Sequence, residues 1–431
     1  MSHTSFWRTL AASVACGVGL GAVLGVGLHL AGVGTTVADG AGLPPATPPA
    51  VTVTATATAT PSGTKQTPPE PAAKLDVTVA FAGDVLLHMP VIDSARVAGG
   101  YDFTTMMAGV EPWIAGADLA IAQFETPIAP AGQAVSGYPV FGGPAEIAQG
   151  LKDTGWDGAG CASNHAVDRG FAGVEATIDA LVEQGMGFAG TARTEAESLV
   201  PQLYQLTLGG QTLTIAHLAS TYGLNGLPLP SGQPWSVELT DTDKLIEQAR
   251  QARADGADIV LVSIHEGVEY QTTPTARQRE IADALAASGQ VDAMIGDHPH
   301  VAEPIELVPG GVDGEGMWTI WSMGNYISNQ SDATVGPNTD TGAVAYVHIT
   351  LEGGDAVVTA MTWSGVTVDT SHGHHIYMLE DAAEGEGLGQ ISAASVQTRK
   401  DRLAKIMGGT DLEQTEPPVP SGATLTVLPR S

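Results

Sequence analysis

The chain has 431 residues, 43% of them hydrophobic, which is ample for one large domain or two ordinary ones around a buried core. A formal charge of -30, from 47 acidic against 17 basic residues, argues against a general affinity for nucleic acid or an anionic lipid surface, since both need a positive field. Any polyanionic partner has to be held locally, for example by a metal ion.

The first element is an apolar stretch. From Thr9 to Ala38 there is no charged residue, and LAASVACGVGLGAVLGVGLHLAGVG is long enough to cross a bilayer, which takes roughly 20 apolar residues in a helix. A cleaved signal has a shorter apolar core, of about 7 to 15 residues, and a small-residue cleavage site. Residues 1–38 therefore read as a cytoplasmic stub and an uncleaved transmembrane signal anchor. Arg8 precedes the run and the next basic residue is Lys65, so the positive-inside bias places the rest of the chain outside, in a single-pass membrane protein with an extracytoplasmic globular part. The competing reading is a lipoprotein signal at SVAC, with Cys16 acylated. The other cysteine, Cys161, falls in a predicted core segment, so no bridge between the two is expected.

Residues 39–74 are rich in Pro, Thr and Ala and bury too little side chain to fold, which makes them an extended linker. From Leu75 short apolar runs alternate with helical stretches such as GVEATIDALVEQG and TARQREIADALAASG. The runs are DVTVAFAGD, ADLAIAQFE, GWDGAGCASNH, ADIVLVSIHEG and VDAMIGDHPH, and the alternation predicts an α/β sheet with helices on its faces. TIWSMGNYI, GAVAYVHITLEGG and AVVTAMTWSG are strand-rich without long helices, so a second, mixed and partly antiparallel sheet is expected. The domain is taken as 75–368, and 369–431 as a C-terminal extension with one helix around ASVQTRKDRLAKIMG and a loose, Pro-rich end.

Each of the five runs ends in a metal-capable residue: Asp84, Glu125, Asn164 with His165, His265, and His298 with His300. Ligands collect at the carboxyl ends of strands in open α/β sheets, because the loops diverge there. Taken singly, Asp84 reads equally well as a turn or cap residue, Glu125 as a solvated acid, NHAVDRG as a turn before a helix and His265 as a core histidine. Together they read as one centre. Asn164 offers a neutral amide oxygen, His165 a proton donor or charge stabiliser, and Asp168 a helix cap or a partner that orients His165. Glu266 and Glu269 flank His265 as outer or solvated residues.

The most specific stretch is GDHPHV. His298 and His300 are two apart, so an extended loop points both rings the same way, and Pro299 stiffens the pair. Carboxylate, amide and imidazole donors suit Mn, Fe or Zn, one ion or a pair, better than Ca or Mg. His372, His374 and His375 form another His-rich tract, expected at the surface with incidental metal affinity.

With these residues in place, FAGDVLL, QFETP, SNHAVDRG, SIHEGVEY, GDHPHV and WSMGNYI resemble, in order, the motifs of the CapA/PgsA family of capsule and poly-γ-glutamate synthesis proteins, which is similar to the calcineurin-like metallophosphoesterases. The resemblance implies a metallophosphoesterase-like sandwich of two mixed β-sheets flanked by helices. It also implies a metal centre lined by Asp84, Glu125, Asn164, His265, His298 and His300, with His165 beside it and Gly324 and Asn325 on a nearby loop. Two departures stand out. The first phosphoesterase motif has a histidine two residues after its aspartate, where this chain has Leu86, and Glu125 stands where an aspartate is usual. His88 is two residues too far along to be assumed a substitute, and the role of Asp297 is open.

Three functions follow as expectations. The first is an accessory protein for making, exporting or retaining poly-γ-glutamate or a related anionic polymer, partnered by that polymer or its synthesis machinery. The second is a metal-dependent phosphoesterase or other hydrolase. The third is a binding module that kept the site and lost turnover.

Overall fold

A computed structural model of the chain describes residues 74–430. The expected anchor at 1–38, and the linker up to residue 73, lie outside the described residues. Among the described residues no helix is long and apolar enough to cross a membrane.

In chain order the strands are β1 (Leu75–Val85), β2 (Arg96–Val97), β3 (Gly100–Tyr101), β4 (Leu119–Gln123), β5 (Gly158–Gly160), β6 (Gly187–Ala189), β7 (Gln202–Leu208), β8 (Gln211–Thr221) and β9 (Ile259–His265). They continue with β10 (Ala293–Asp297), β11 (Ala302–Val308), β12 (Met317–Met323), β13 (Asn325–Ile327), β14 (Thr341–Glu352), β15 (Asp355–Asp369), β16 (His375–Met378) and β17 (Thr424–Val427). One sheet runs β16-β15-β14-β1-β4-β5-β6, with β13 also paired to β1. The second runs β11-β12-β10-β9-β8-β7-β17, and β2-β3 form a small ribbon. Both large sheets are mixed. The pairs β1–β4–β5–β6 and β8–β9–β10–β12 are parallel, and the flanking strands are antiparallel.

Two-residue alternation builds the layers. In β1, Val77, Val79 and Phe81 pack with Leu119 and Ile121 against Ile259, Leu261, Ala293, Ile295 and Ile320 of the other sheet. Ala80 and Ala82, on the opposite face of β1, meet Ile147, Leu151, Ile178 and Leu181 from the helices Glu146–Thr154 and Gly170–Glu183. On the far side, Val260, Val262 and Met294 cover Leu245, Ala249, Ile281 and Leu285 of the helices Thr242–Ala254 and Ala276–Ser288. The result is helix, sheet, sheet, helix, and the central strands are buried on both faces, which is why β9 opens on four consecutive apolar residues, Ile259 to Val262, instead of alternating. Each fully buried Val, Leu, Ile or Phe contributes about 1.5–3 kcal/mol to holding the layers together.

The five predicted strand runs divide between the sheets, β1, β4 and β5 in one and β9 and β10 in the other. The later strand-rich segments do not form a sheet of their own. TIWSM becomes β12 beside β10, while β14 and β15 extend the first sheet next to β1. Alternation shows that a segment is a strand but not which strand it joins. The segment after residue 368 is likewise built into the fold. β16 pairs with β15, the helix Ala393–Ile406 buries Val396 and Leu403, and β17 covers the edge strand β7. In the His-rich tract, His372 is exposed, but His374 is buried between Ser94 and Asn329, so that tract is not simply a surface segment.

The carboxyl ends of the parallel strands of both sheets meet at one edge. The chain passes from the second sheet into the first there, leaving β12 at Met323 and entering β13 at Asn325, with Gly324 between them at φ +70°. A Cβ on Gly83 would lie 1.8 Å from the Gly324 carbonyl oxygen, so β1 can pass this crossing only with a glycine at 83. The Asp84 N–H donates to that same carbonyl at 2.9 Å.

Candidate metal centre

The Gly83 crossing and a register shift between Asp84 and Val85 set Asp84 at the seam of the two sheets. Its Oδ2 accepts from His300 Nδ1 at 3.0 Å, and its Oδ1 lies 3.8 Å from His265 Nδ1 with no hydrogen-bond partner. Glu125, two residues past β4, is fully buried with both carboxylate oxygens unpartnered. Its Oε1 is 3.8 Å from His300 Nε2 and 3.9 Å from His265 Nε2. Asp84, Glu125 and His300 each bring a donor atom within 4.8 Å of the others. Asn164, in the loop after β5, accepts from His265 Nε2 at 2.9 Å, and the His298 ring centroid is 4.9 Å from that of His265. All six residues expected to line a centre therefore converge between the sheets.

The electrostatics explain what such a cluster needs. Burial pushes Glu125 well above the usual carboxylate range; His300 opposes this and Asp84 adds to it. Burial opposes charge on His300 too, but Glu125 and Asp84 outweigh it and lift the imidazolium to about 9. His265 and His298 are held neutral by burial and by neighbouring imidazoles, His298 down to about 3. No lysine or arginine among the described residues comes within 4 Å of Asp84, Glu125 or Asp297. An uncompensated buried carboxylate costs several kcal/mol, and a divalent cation removes that cost. The donor set fits one: oxygen and imidazole donors, with orphaned atoms at Asp84 Oδ1 and at both Glu125 oxygens.

The GDHPHV loop differs from the extended pair expected of it. His298 and His300 both have positive φ, +98° and +58°, a region that costs a non-glycine residue about 1–3 kcal/mol. The contacts around Pro299 hold this shape. Tyr270 N–H donates to the Pro299 carbonyl at 2.7 Å, and Asn325 Nδ2 donates to the His300 carbonyl at 3.2 Å. Asn325 thus acts as a clamp, also donating to Thr339 O at 2.9 Å and Gln330 Oε1 at 3.0 Å.

Beside the centre, His165 Nδ1 donates to Asp168 Oδ2 at 2.8 Å, and its Nε2 faces the Asn225 Nδ2 donor at 3.4 Å. Asp168 accepts from the Phe141 N–H as well, also at 2.8 Å, and so fixes the Phe141 ring edge-on to His165 with 4.7 Å between centroids. Glu266 accepts from the Gly267 N–H at 3.1 Å in the field of Arg277. The field of Glu269 reaches both Glu125 and His300, as that of Asp84 does. His88 sits at the rim, its Nδ1 accepting from the Asn329 N–H at 3.3 Å.

Four contributors escaped the sequence reading. Gln123 packs its amide 3.2 Å from His265 Nδ1, and strand alternation from Glu125 could have found it. Asn225, at φ +52°, accepts from Asn164 Nδ2 at 3.2 Å, and the Asn-Gly pair was its only signal. Tyr222, whose ring lies 4.6 Å from His298, and Phe141 sit on loops without periodicity.

A family model described as bacterial capsule synthesis protein PGA_cap matches residues 78–330, more than half of the chain. The chain belongs to this family. Among characterised relatives, the PGA biosynthesis protein CapA of Bacillus subtilis (strain 168) is 28% identical over 277 residues, 62% of this chain and 68% of the relative. The capsule biosynthesis protein CapA of Bacillus anthracis is 24% identical over 263 residues, 59% of this chain and 60% of the relative, so the match spans less than two thirds of that protein. Similar solved structures include the Haemophilus influenzae NAD nucleotidase, at TM-score 0.44 and 12% identity over 80% of this chain and 57% of that one. The calcineurin-like phosphoesterase YfkN of Bacillus subtilis is similar at TM-score 0.40 and 13% identity, over 77% and 98%.

Proposed function

We propose that this CapA-family protein acts in the biosynthesis or export of a capsule polymer of the poly-γ-glutamate type, from an extracytoplasmic domain tethered by the apolar N-terminal segment, through a divalent-metal centre with hydrolase chemistry. The observation that carries the chemical half of this reading is the convergence of Asp84, Glu125 and His300 with carboxylate oxygens that no group among the described residues satisfies. Asp84, Glu125, Asn164, His265, His298 and His300 would hold the metal. Bound there, a divalent cation supplies Lewis acidity to a phosphoester or amide oxygen and acidifies water.

The chain's own residues supply the rest. Asp168 holds the His165 Nδ1–H, so the ring would first have to take a second proton at Nε2, the nitrogen facing Asn225 Nδ2 at 3.4 Å, before it could protonate a leaving oxygen from there. Phe141 packs edge-on to His165, and Tyr222 packs tilted against His298. Asn225, bonded to Asn164, holds that amide with its oxygen turned to His265.

Replacing the chromosomal gene with the His298→Ala, His300→Ala double variant and measuring cell-surface polymer tests this reading. Loss of polymer amount or a change in its chain length, at normal protein level, supports it. Unchanged polymer refutes it. A second reading, a binding module without turnover, is favoured by one observation: Leu86, where the phosphoesterase motif has a histidine, is buried and apolar. Metal and polymer binding with no hydrolysis across phosphoester and peptide panels would select it.

A further inference from the structure

The leucine at position 86 removes a ligand, and two residues nearby offer donor atoms in its place. His88 is excluded by its hydrogen bond. Because Nδ1 accepts the Asn329 N–H, the neutral ring carries its proton on Nε2 and presents a donor there, not a lone pair. Asp297 is the other candidate. It is the last residue of β10, paired in parallel register with His265 on β9, and register partners in a parallel ladder point to the same face. That face is the one from which His265 reaches Asp84 and Glu125, at 3.8 and 3.9 Å. Asp297 is 1% exposed, and its Oδ1 has no hydrogen-bond partner. A structural carboxylate at that depth would have an N–H, a hydroxyl or a guanidinium to meet it. This one has the fields of Asp84 and Glu125, which repel it.

We propose that Asp297 is a metal-ligating carboxylate of this centre, supplying the donor that Leu86 does not. It lies outside the three donor groups that fall within 4.8 Å of one another, so it serves a second cation beside the one held by Asp84, Glu125 and His300. In two-metal sites the ions are about 3.5–4 Å apart, a spacing that a neighbouring strand end can serve. The inference rests on the metal-centre reading above and goes beyond it by giving Asp297 a role that the family motif does not require.

The test is metal stoichiometry and affinity of the full-length protein, stripped of metal and titrated with Mn²⁺, followed by elemental analysis of the saturated protein. Wild type is expected to bind two ions. Asp297→Asn, nearly the same size, is expected to retain one and to bind the other at least about tenfold more weakly. Asp297→His, which restores a ligating atom, is expected to recover the second ion, and it keeps the test alive where the asparagine variant folds poorly. Two ions bound by Asp297→Asn with both affinities within twofold of wild type would overturn the role of Asp297 and leave the metal centre standing. A wild type that binds a single ion, unaffected by Asp297→Asn, would overturn it in the same way. A wild type that binds none would overturn both.

Discussion

Gly83→Ala tests how the fold places Asp84. The added Cβ would lie 1.8 Å from the Gly324 carbonyl oxygen and 2.8 Å from its carbon, against an ordinary contact of 3.4 Å or more. Backbone faces the new methyl, so nothing can rotate away, and β1 has to move from the crossing by about 1.6 Å. Overpacking typically costs about 1–3 kcal/mol, and a clash with backbone belongs at the top of that range. At about 2 °C per kcal/mol for a domain of this size, the melting temperature should drop by about 6 °C. The same movement stretches the 3.0 Å contact between Asp84 and His300, so metal affinity should fall by about 10- to 100-fold. Gly223→Ala is the control: it lies between Tyr222 and Asn225, and no atom is within 4 Å of its would-be Cβ. Thermal melts with and without Mn²⁺, together with calorimetric titration, read both effects. A Gly83→Ala protein melting within 1 °C of wild type and binding metal within twofold would refute the argument that this crossing positions the site.

Metal binding should release protons: His300 stays charged up to about 9 in the metal-free protein and burial raises the carboxyl of Glu125, so titrations at pH 7 in buffers of different ionisation enthalpy should register net release of at least about one proton, and affinity should rise with pH. No proton release would contradict the His300 assignment. Asp168→Ala leaves both the Phe141 N–H and the His165 ring without their acceptor, and should cost about 1–3 kcal/mol in urea denaturation while metal stoichiometry holds. Parallel loss of metal would mean that Asp168 belongs to the ligand set. His217 is fully buried and pushed down to about 3 by burial, so it is neutral when folded and protonates when unfolded below its ordinary 6.5. Its contribution is therefore whole above 6.5 and declines as pH falls, by about 1.4 kcal/mol per unit between pH 6 and 4. His217→Gln should flatten that part of the stability profile, and an unchanged slope would place the acid sensitivity elsewhere.

The candidate site was legible in the chain because its residues sit at strand ends. Asp84, Glu125, Asn164, His265 and the His298–His300 pair each close an apolar run, a one-dimensional signal. What could not be read was which sheet each run joins. β9 and β10 face β1 and β4 across a sandwich instead of lying beside them, and strand periodicity is the same in both arrangements. The backbone of GDHPHV departs from the extended form expected of it for a related reason. Local preference before a proline favours extended structure, while Tyr270 and Asn325, near in space but distant in sequence, hold both histidines at positive φ. Asn225, Tyr222 and Phe141 come from loops, where no periodicity exists to mark them. The segment after residue 368 lost its pattern because β16 and β17 are four-residue strands that finish sheets begun by others.

The central claim is that the seam between the two sheets holds a divalent cation. Anomalous diffraction from crystals of the protein grown with Mn²⁺ tests it most directly. The expected result is a peak bounded by Asp84, Glu125 and His300 that is lost in His300→Ala crystals. A protein that diffracts with Mn²⁺ present and shows no anomalous density among those three residues would contradict it.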